Sequence, residues 1–278
     1  MTGRTAAAAH APRVGILLVG HGTREPAGVA QFLELARRFA GALPGSAVEH
    51  CFLELAEPTI ALGLERLLSR GIDELVVAPL LLFSAGHAKE DIPAAVSVAL
   101  SALGRADLTR RQTPPLECHP ELLALSRERF LDVAGHGAEA STTLVMIGRG
   151  SRDAEATQQM HRYAALHAAQ LDLPPPVVGF LAVARPNLGQ ALELTATRAS
   201  ERVVVQPHLL FEGLLAAEVR AAVADAQRRW PQIDWRCTAP LGPQLGVVRA
   251  LCSMAGLDEV TSAGQFASLA TTPLPDNP

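Results

Sequence analysis

An internal repeat constrains what this chain can fold into more than any other feature of its sequence. The segment ILLVGHGTR (16–24) resembles LVMIGRGSR (144–152), since both are aliphatic runs that end in Gly-X-Gly-(Ser/Thr)-Arg. The same offset of 128 residues aligns two further pairs of segments, FLELAEP (52–58) with FLAVARP (180–186) and VAPLLLF (77–83) with VQPHLLF (205–211). Many α/β proteins share aliphatic strands and glycine turns, but that does not account for the matched Phe, Pro and Arg positions. The repeat therefore predicts a duplicated domain.

Each half alternates between aliphatic runs and amphipathic stretches. In the first half the predicted strands are residues 14–19, 47–53, 74–82 and 108–113, and the predicted helices are residues 26–42, 58–70, 91–103 and 119–133. Asp91 is expected to cap the third helix, with Pro93 in its first turn. Strands that alternate with helices imply right-handed βαβ units and a parallel sheet covered on both faces. The predicted fold class is α/β, with two similar, tandem, doubly wound parallel-sheet lobes and an active-site cleft between them.

The repeat also sets the expected domain boundaries. An N-terminal lobe is expected over 13–134 and a C-terminal lobe over 142–255, with flexible tails at 1–12 and 261–278. Hydrophobic residues make up 49% of the 278 residues but aromatic residues only 4%, so the core must consist mainly of Leu, Val and Ala. Such a core suits helices packed on a parallel sheet, whose buried strands are continuous aliphatic runs.

Charge and cysteine content exclude several kinds of protein. The formal net charge of −4 argues against binding of nucleic acid, which needs a basic surface. The four cysteines occur singly rather than in CxxC pairs, so neither a zinc or iron–sulfur motif nor a disulfide framework is indicated. No apolar run is long enough to span a membrane, and the N-terminus lacks the apolar core of a signal peptide. The expected location is the cytoplasm.

Two histidines and a carboxylate follow the first three predicted strands. His21 comes directly after the first strand between two glycines, Glu54 ends the second strand, and His87 lies in the loop after the third. Ligands of open α/β sheets bind at the carboxyl ends of the strands, so these three side chains are expected to converge on one edge of the sheet. Imidazole nitrogen and carboxylate oxygen suit divalent Fe, Co, Ni or Zn. The predicted topology therefore indicates a metal site.

Each of these residues also has a purely structural interpretation. The turn around His21 could cap a helix or bind a phosphate, because glycine-rich turns at helix N-termini bind anions. Glu54 could face solvent, while Lys89 and Asp91 fit a solvated side chain and a helix cap. Of the other histidines, His208 stands out because it lies at a predicted strand end of the second half.

Four motifs together resemble the sirohydrochlorin chelatases in their long, duplicated form. The motifs are LLVGHGTR (17–24), CFLELAEPTI (51–60), VVAPLLLFSAGHAKEDIP (76–93) and LECHPEL (116–122). The resemblance extends over almost all of residues 13–255 and includes the spacing between the motifs. These class II chelatases are related to the anaerobic cobalt chelatases and, more distantly, to protoporphyrin ferrochelatase.

The resemblance implies a lyase-type enzyme that inserts Co²⁺ or Fe²⁺ into sirohydrochlorin, a tetrapyrrole with eight carboxylates, in cobalamin or sirohaem biosynthesis. The metal, with Ni²⁺ as a further candidate, is a substrate, and neither a nucleotide nor a permanently bound cofactor is implied. The family's metal-handling histidines correspond to His21 and His87, and its acidic partner corresponds to Glu54. Metallation must remove two pyrrole protons, and an imidazole can accept a proton or hold the ion near neutral pH. Arg24 and Lys89 lie close to the two histidines in sequence and are predicted to pair with substrate carboxylates.

The second half lacks the three residues that the first half offers to a metal. At the offset of 128, the positions of His21, Glu54 and His87 are occupied by Arg149, Ala182 and Leu215. The N-terminal lobe is therefore expected to be catalytic, and the C-terminal lobe to form the other wall of the cleft, with Arg149 and Arg152 as carboxylate contacts. A duplicated chain can work as a monomer, and a homodimer is the alternative.

Two other functions fit parts of the pattern. A non-catalytic carrier of tetrapyrrole or metal with the same fold would bind without turnover, and the loss of ligands in the second half is compatible with it. A phosphoryl-transfer enzyme with His21 as nucleophile would need more arginines around the same turn than Arg24 alone. The intact set of His21, Glu54 and His87 favours the chelatase.

Overall fold

The computed structural model describes residues 12–84, 86–135, 142–198 and 201–256. The predicted tail 261–278, and all of the predicted tail 1–12 except Pro12, lie outside these residues. Within them the chain forms two four-stranded parallel sheets flanked by helices. The predicted α/β fold with two tandem lobes is therefore confirmed.

The first repeat forms one of the two sheets. Its elements are, in chain order, β1 (Val14–Gly20), α1 (Pro26–Ala42), β2 (Ala47–Phe52), α2 (Ile60–Ser69), β3 (Glu74–Pro79), α3 (Ile92–Ala102), β4 (Thr109–Gln112) and α4 (Pro120–Ala134). The strands lie side by side in the order β2-β1-β3-β4, and every pair is parallel. Each strand is joined to the next strand along the chain by a helix, as parallel strands require.

The second repeat forms the other sheet in the same way. Its elements are β5 (Thr142–Gly148), α5 (Ala154–Ala169), β6 (Val177–Phe180), α6 (Leu188–Ala196), β7 (Arg202–Pro207), α7 (Leu214–Arg229), β8 (Asp234–Cys237) and α8 (Leu245–Met254). The strand order is β6-β5-β7-β8, which is the order of the first sheet in the equivalent strands.

The central strand β1 is buried on both faces. Ile16 and Leu18 pack into one apolar cluster, whereas Leu17 and Val19 pack into another. Side chains alternate between the two faces along a strand, so a continuous aliphatic run contributes to two cores at once. This explains why the strand shows no alternation of polar and apolar residues in the sequence.

The duplication extends to unusual backbone conformations. Leu55 and Val183 have φ values of 64° and 61°, and Gly22 and Gly150 have φ values of 97° and 90°. Each pair is separated by the repeat offset. A Cβ on either glycine would lie 1.7 or 1.9 Å from a backbone carbonyl oxygen in the loop after β2 or β6. The loops at the ends of neighbouring strands therefore pack equally tightly in both repeats.

The last helix of each repeat packs against the other repeat. Helix α4 contacts α5, β7 and β8, and helix α8 contacts α1. The Tyr163 hydroxyl donates a hydrogen bond to the Leu122 carbonyl of α4 (2.8 Å), and the Gln206 amide donates one to the Ser126 carbonyl (3.0 Å). One apolar cluster consequently contains side chains from both repeats. The two lobes share a core, which fixes their relative position.

Two equivalent hydrogen bonds also join the lobes. The Gln31 side chain of α1 accepts a bond from the backbone N–H of Glu212 (2.8 Å), and the Gln159 side chain of α5 accepts one from the N–H of Ser84 (3.0 Å). Gln31 and Gln159 are separated by the repeat offset, and so are Ser84 and Glu212. The lobes therefore contact each other with approximate twofold symmetry.

The start of α3 differs from the prediction, and the expected cap at Asp91 is wrong. The chain is already helical before this residue, with a π-helical turn over His87–Asp91, and Asp91 itself has helical φ and ψ of −69° and −48°. Its carboxylate lies 2.7 Å from Nδ1 of His87 instead. An Asp-X-Pro pattern fits many helix starts, and it cannot reveal that this helix begins one turn earlier.

Two glycines offer a matched test of the packing between loops. Gly22 and Gly45 have φ values of 97° and 90°, but a Cβ on Gly22 would clash with the Glu54 carbonyl oxygen, whereas nothing lies within 4 Å of one on Gly45. We expect Gly45→Ala to lower the free energy of unfolding by about 1 kcal/mol from its backbone conformation alone. Gly22→Ala should lower it by about 3 kcal/mol or more, because one of the two loops must move. Denaturant unfolding measures the difference, and equal losses would contradict this packing.

Candidate metal centre

The loops after β1 and β3 lie at the carboxyl edge of the first sheet. These strands are neighbours, and their register places Val19 beside Pro79. Helix α1, which follows β1, packs into one apolar cluster, and α3, which follows β3, packs into the cluster on the other face. Connections that leave on opposite faces open a crevice between the two strand ends, where ligands of such folds bind. His21 and His87 occupy the two loops at this crevice.

The structure brings His21, Glu54 and His87 together, as the sequence predicts. One nitrogen or oxygen atom of each side chain lies within 4.8 Å of the corresponding atoms of the other two. Nε2 of His21 is 3.5 Å from Oε1 of Glu54, and the two imidazole rings meet edge to face with centroids 4.6 Å apart. In the part of the chain that the structure describes, no other three His, Cys, Asp or Glu side chains are grouped in this way.

His21 is held as a neutral imidazole. Burial lowers its pKa below the usual value, the positive charge of Arg149 and the neighbouring His87 lower the pKa further, and the Gly22 carbonyl and the Glu54 carboxylate oppose them. Nδ1 of His21 lies 3.2 Å from the Gly22 carbonyl oxygen. A proton on Nδ1 can be donated there, which leaves the lone pair of Nε2 available to a cation or a proton.

His87 is fixed by contacts within its own π-helical turn and with the edge strand. Nδ1 is hydrogen-bonded to the Asp91 carboxylate at 2.7 Å, and the Gln112 amide donates a bond to the Ala88 carbonyl at 2.7 Å. A carboxylate on one imidazole nitrogen sets the tautomer and the ring orientation, and it makes the other nitrogen a better ligand. Asp91 is thus a site residue that sequence reasoning missed, although the four-residue spacing from His87 on a helix is the signal that could have revealed it.

A cleft of about 1210 Å³ separates the two lobes in front of these residues. His21, His87 and Asp91 line it from the first lobe, and Arg149 and Arg152 line it from the second. Both arginines are exposed. The cleft therefore presents imidazole groups on one wall and guanidinium groups on the other.

Three of the predicted site residues lie outside the lining of the cleft. Arg24 is exposed beside the first loop, and Glu54 is exposed with Oε1 3.5 Å from Nε2 of His21. Lys89 pairs across the lobes with Asp153 (3.0 Å) and Glu155 (2.7 Å) at the start of α5. The ammonium group of Lys89 thus joins the His87 segment to the second lobe.

The positions in the second repeat that are equivalent to the possible metal ligands line the cleft. Arg149, Ala182 and Leu215 correspond to His21, Glu54 and His87 through the repeat, and all three belong to the wall that the second lobe contributes. The approximate twofold symmetry therefore places one set of possible metal ligands and one set of non-ligands around the same cavity.

His208 lies at the inner end of the cleft and is almost fully buried. Its ring contacts those of Tyr163 and Phe83, with centroid distances of 4.0 and 5.1 Å, and neither ring nitrogen has a hydrogen-bond partner among the described residues. Burial lowers the pKa of His208 to about 3, with a smaller contribution from His167. The equivalent residue in the first repeat is the buried Leu80. His208 therefore fills an apolar position as a neutral ring.

Both repeats match one family model. The CbiX model matches residues 15–133 and again residues 143–255. The chain belongs to the CbiX family. This confirms the resemblance to the duplicated sirohydrochlorin chelatases, because the model is matched once by each repeat.

The curated relatives include both ferrochelatases and cobaltochelatases. The chain is 31% identical to the sirohydrochlorin ferrochelatase of Priestia megaterium over 74% of this chain and 76% of the relative. It is 26% identical to the sirohydrochlorin cobaltochelatase of the same species over 82% of this chain and 74% of the relative. It is also similar to the sirohydrochlorin ferrochelatase of Bacillus subtilis, with 28% identity over 78% of this chain and 82% of the relative.

Solved structures of the sirohydrochlorin chelatase SirB have the same architecture. SirB from Bacillus subtilis with Fe³⁺ superimposes with a TM-score of 0.79 at 25% identity, covering 91% of this chain and 98% of SirB. The sirohydrochlorin chelatase SirB from Bacillus subtilis subspecies spizizenii in complex with cobalt gives a TM-score of 0.75 at the same identity and coverage.

Among the described helices, none combines the length and the apolar character that a membrane span requires.

The variant His208→Leu tests whether the imidazole of His208 is buried as a neutral ring. The variant copies Leu80, and we expect its free energy of unfolding to rise by about 1–2 kcal/mol near pH 7, because an unpartnered polar group leaves the interior. The pKa of His208 is lowered from about 6.5 to about 3 on folding. Only the unfolded chain therefore takes up this proton as the pH falls below about 6.5, which destabilises the wild type but not the variant.

The difference in free energy of unfolding between His208→Leu and the wild type should therefore increase by about 2–3 kcal/mol as the pH falls from 8 to 4.5. Denaturant unfolding at several pH values measures it, with the exposed His161→Leu as control. Parallel stability curves for wild type and His208→Leu would contradict the assigned environment.

Proposed function

We propose that this CbiX-family chain inserts Co²⁺ or Fe²⁺ into sirohydrochlorin without a nucleotide. The observation that carries the proposal is the grouping of His21, Glu54 and His87 within 4.8 Å, beside a cleft whose other wall holds exposed arginines. Imidazole and carboxylate suit these divalent ions, and guanidinium groups suit an acidic substrate. The names of the curated relatives support both the substrate and the choice between the two metals.

The two histidines serve the two demands of metallation. Insertion of a divalent ion into the free tetrapyrrole forms bonds to four ring nitrogens and releases two pyrrole protons. His21 is neutral because burial and Arg149 lower its pKa, so Nε2 can hold the incoming ion or accept a proton. Glu54 adds negative charge beside His21 and favours the approach of a cation.

Asp91 acts on the reaction through His87. Its carboxylate lies 2.7 Å from Nδ1 of His87, so a proton on Nδ1 is held there and Nε2 keeps its lone pair. The same contact fixes the orientation of the ring while Nε2 accepts a pyrrole proton. Asp91 is therefore a positioning residue, and His21 and His87 are the catalytic residues of the proposal.

The arginines of the second lobe bind the substrate's carboxylates in this proposal. Arg149 and Arg152 are exposed on the cleft wall, and guanidinium groups form paired hydrogen bonds with carboxylates. Arg24 is exposed in the loop after β1 and outside the lining of the cleft, so in this proposal it contacts only a part of the substrate that extends beyond the cleft. Lys89 contributes by holding the His87 segment against the second lobe.

One chain supplies both walls of the cleft, so a monomer suffices for the proposed reaction. A homodimer, Ni²⁺ as a third metal and a cytoplasmic location stay predictions of the sequence. Cobalt insertion would lead towards cobalamin and iron insertion towards sirohaem. Metal supply and the geometry of the ligands decide between the two, because Co²⁺ and Fe²⁺ accept the same imidazole and carboxylate groups.

An anaerobic insertion assay tests the function. Purified protein, sirohydrochlorin and Co²⁺ or Fe²⁺ are mixed, and the absorbance change of the tetrapyrrole gives kcat/KM. We expect the wild type to exceed the spontaneous rate, and His21→Ala and His87→Ala to lower kcat/KM by about 10²-fold or more because proton transfer and metal delivery are lost. Asp91→Ala should lower it by about tenfold, with partial recovery in Asp91→Asn.

The exposed His161→Ala is the matched control and should leave kcat/KM unchanged, because its side chain lies outside the cleft. A wild type that binds sirohydrochlorin but inserts metal only at the spontaneous rate would overturn the enzyme in favour of a carrier. Full activity in both histidine variants would overturn the assigned site.

A further inference from the structure

The cleft contains large hydrophobic side chains that are exposed to solvent. Val183, Leu214 and Leu215 line it with exposed fractions of 63%, 69% and 37%. All three belong to the second lobe. Exposed aliphatic groups that are gathered in a cavity, rather than scattered over the surface, mark a binding surface.

One of these side chains occupies the place of a possible metal ligand of the first lobe. Leu215 is equivalent to His87, whereas Val183 is equivalent to Leu55. The second lobe thus presents an aliphatic group to the cavity at the position where the first lobe presents the His87 imidazole. An aliphatic group offers no lone pair, so this position cannot bind the ion.

Val183 is held in a strained conformation. Its φ of 61° lies in the left-handed region, which is unfavourable for a β-branched residue. Leu55, its equivalent in the first repeat, has a φ of 64° and is also exposed, so this conformation belongs to the duplicated loop. Val183 lines the cleft, whereas Leu55 does not. The loop of the second repeat therefore exposes an aliphatic side chain inside the cavity.

The loop before Leu214 is anchored to the first lobe. The backbone N–H of Glu212 donates a hydrogen bond to Gln31 of α1 at 2.8 Å, and Gly213, with a φ of 150°, precedes the first turn of α7. Leu214 and Leu215 are therefore presented from a fixed helix start. His21 and His87 line the same cavity as these leucines, so this wall and the histidine wall face the same space.

We propose that Val183, Leu214 and Leu215 form an apolar seat for one face of the tetrapyrrole. Arg149 and Arg152 contact the carboxylates at the edge of the macrocycle. His21 and His87 lie on the side of its opposite face. This proposal rests on the proposed function, since it takes sirohydrochlorin as the ligand. A conjugated macrocycle has apolar faces and, in this substrate, eight carboxylates around its edge. The cleft matches that pattern, because its aliphatic groups and its exposed arginines lie on the same wall.

The seat separates the two substrates in space. The tetrapyrrole binds to the second lobe and the ion binds to the first, so each binding event depends on different side chains. The apolar seat excludes water from the covered face. The ion can then enter only from the side on which its ligands lie.

Two titrations test the seat. Metal-free sirohydrochlorin is titrated into each variant and followed by its fluorescence, and Co²⁺ alone is titrated in a separate calorimetric experiment. Leu214→Ser and Leu215→Ser should each raise the Kd for sirohydrochlorin about tenfold, as loss of a covered leucine side chain implies, without changing the Kd for Co²⁺. His21→Ala and His87→Ala should raise the Kd for Co²⁺ without changing the Kd for sirohydrochlorin.

Val98→Ser is the matched control, because Val98 is 70% exposed on α3 and lies outside the cleft. It should bind both substrates as the wild type does. Val183→Gly is a further variant. It introduces no backbone strain, because glycine adopts a φ of 61° without steric cost. It should weaken sirohydrochlorin binding while the melting temperature stays at or above that of the wild type.

Wild-type affinity for sirohydrochlorin in Leu214→Ser and Leu215→Ser would overturn the seat, even if metal insertion proceeds normally. Loss of Co²⁺ binding in the same variants would also overturn it, because the two substrates would then share residues. A wild type whose sirohydrochlorin binding depends on the seat but that inserts no metal would leave the seat standing and overturn the proposed function.

Discussion

Parallel pairing of β1 with β3 is the constraint on which the candidate site depends. The register that places Val19 beside Pro79 brings the following loops to one edge of the sheet, and the helices then diverge to opposite faces. His21 and His87 are far apart in sequence, yet their rings meet with centroids 4.6 Å apart. The loop after β2 adds Glu54, because Gly22 leaves room for the Glu54 carbonyl oxygen where any side chain would collide with it. The geometry of the site is therefore set by the sheet and not by a local motif.

Duplication supplies the rest of the cavity. Each repeat contributes its last helix to the other, and equivalent hydrogen bonds at Gln31 and Gln159 join the lobes on both sides. Such sharing of a core fixes the width of the cleft without an oligomer. The two walls have nonetheless diverged, since Arg149 and Leu215 stand where the first repeat has histidines. A symmetric scaffold thus carries an asymmetric site, in which one wall suits a cation and the other an acidic, flat ligand.

Much of this could be predicted from the sequence, because aliphatic runs and their order fix a doubly wound sheet. The convergence of the two histidines and a carboxylate followed from strand ends alone. The end of β3 at Pro79 could not be predicted, because the aliphatic run continues past it into a loop, in which Leu80 is buried and Leu81 and Leu82 are half-buried. The contact of Asp91 with His87 depended on a helix that begins one turn early. The pairing of Lys89 with acids of the second lobe, and the burial of His208, depended on how the lobes pack.

In the proposed function, the duplicated fold holds a single metal-binding position, on the wall of the first repeat. Anomalous diffraction at the cobalt absorption edge, from crystals of the protein with Co²⁺, locates the ion. We expect one strong peak per chain, within bonding distance of a nitrogen of His21 and a nitrogen of His87, and none beside Arg149 and Leu215. A peak at the second wall, or a sole peak away from both histidines, would show that the metal site lies elsewhere.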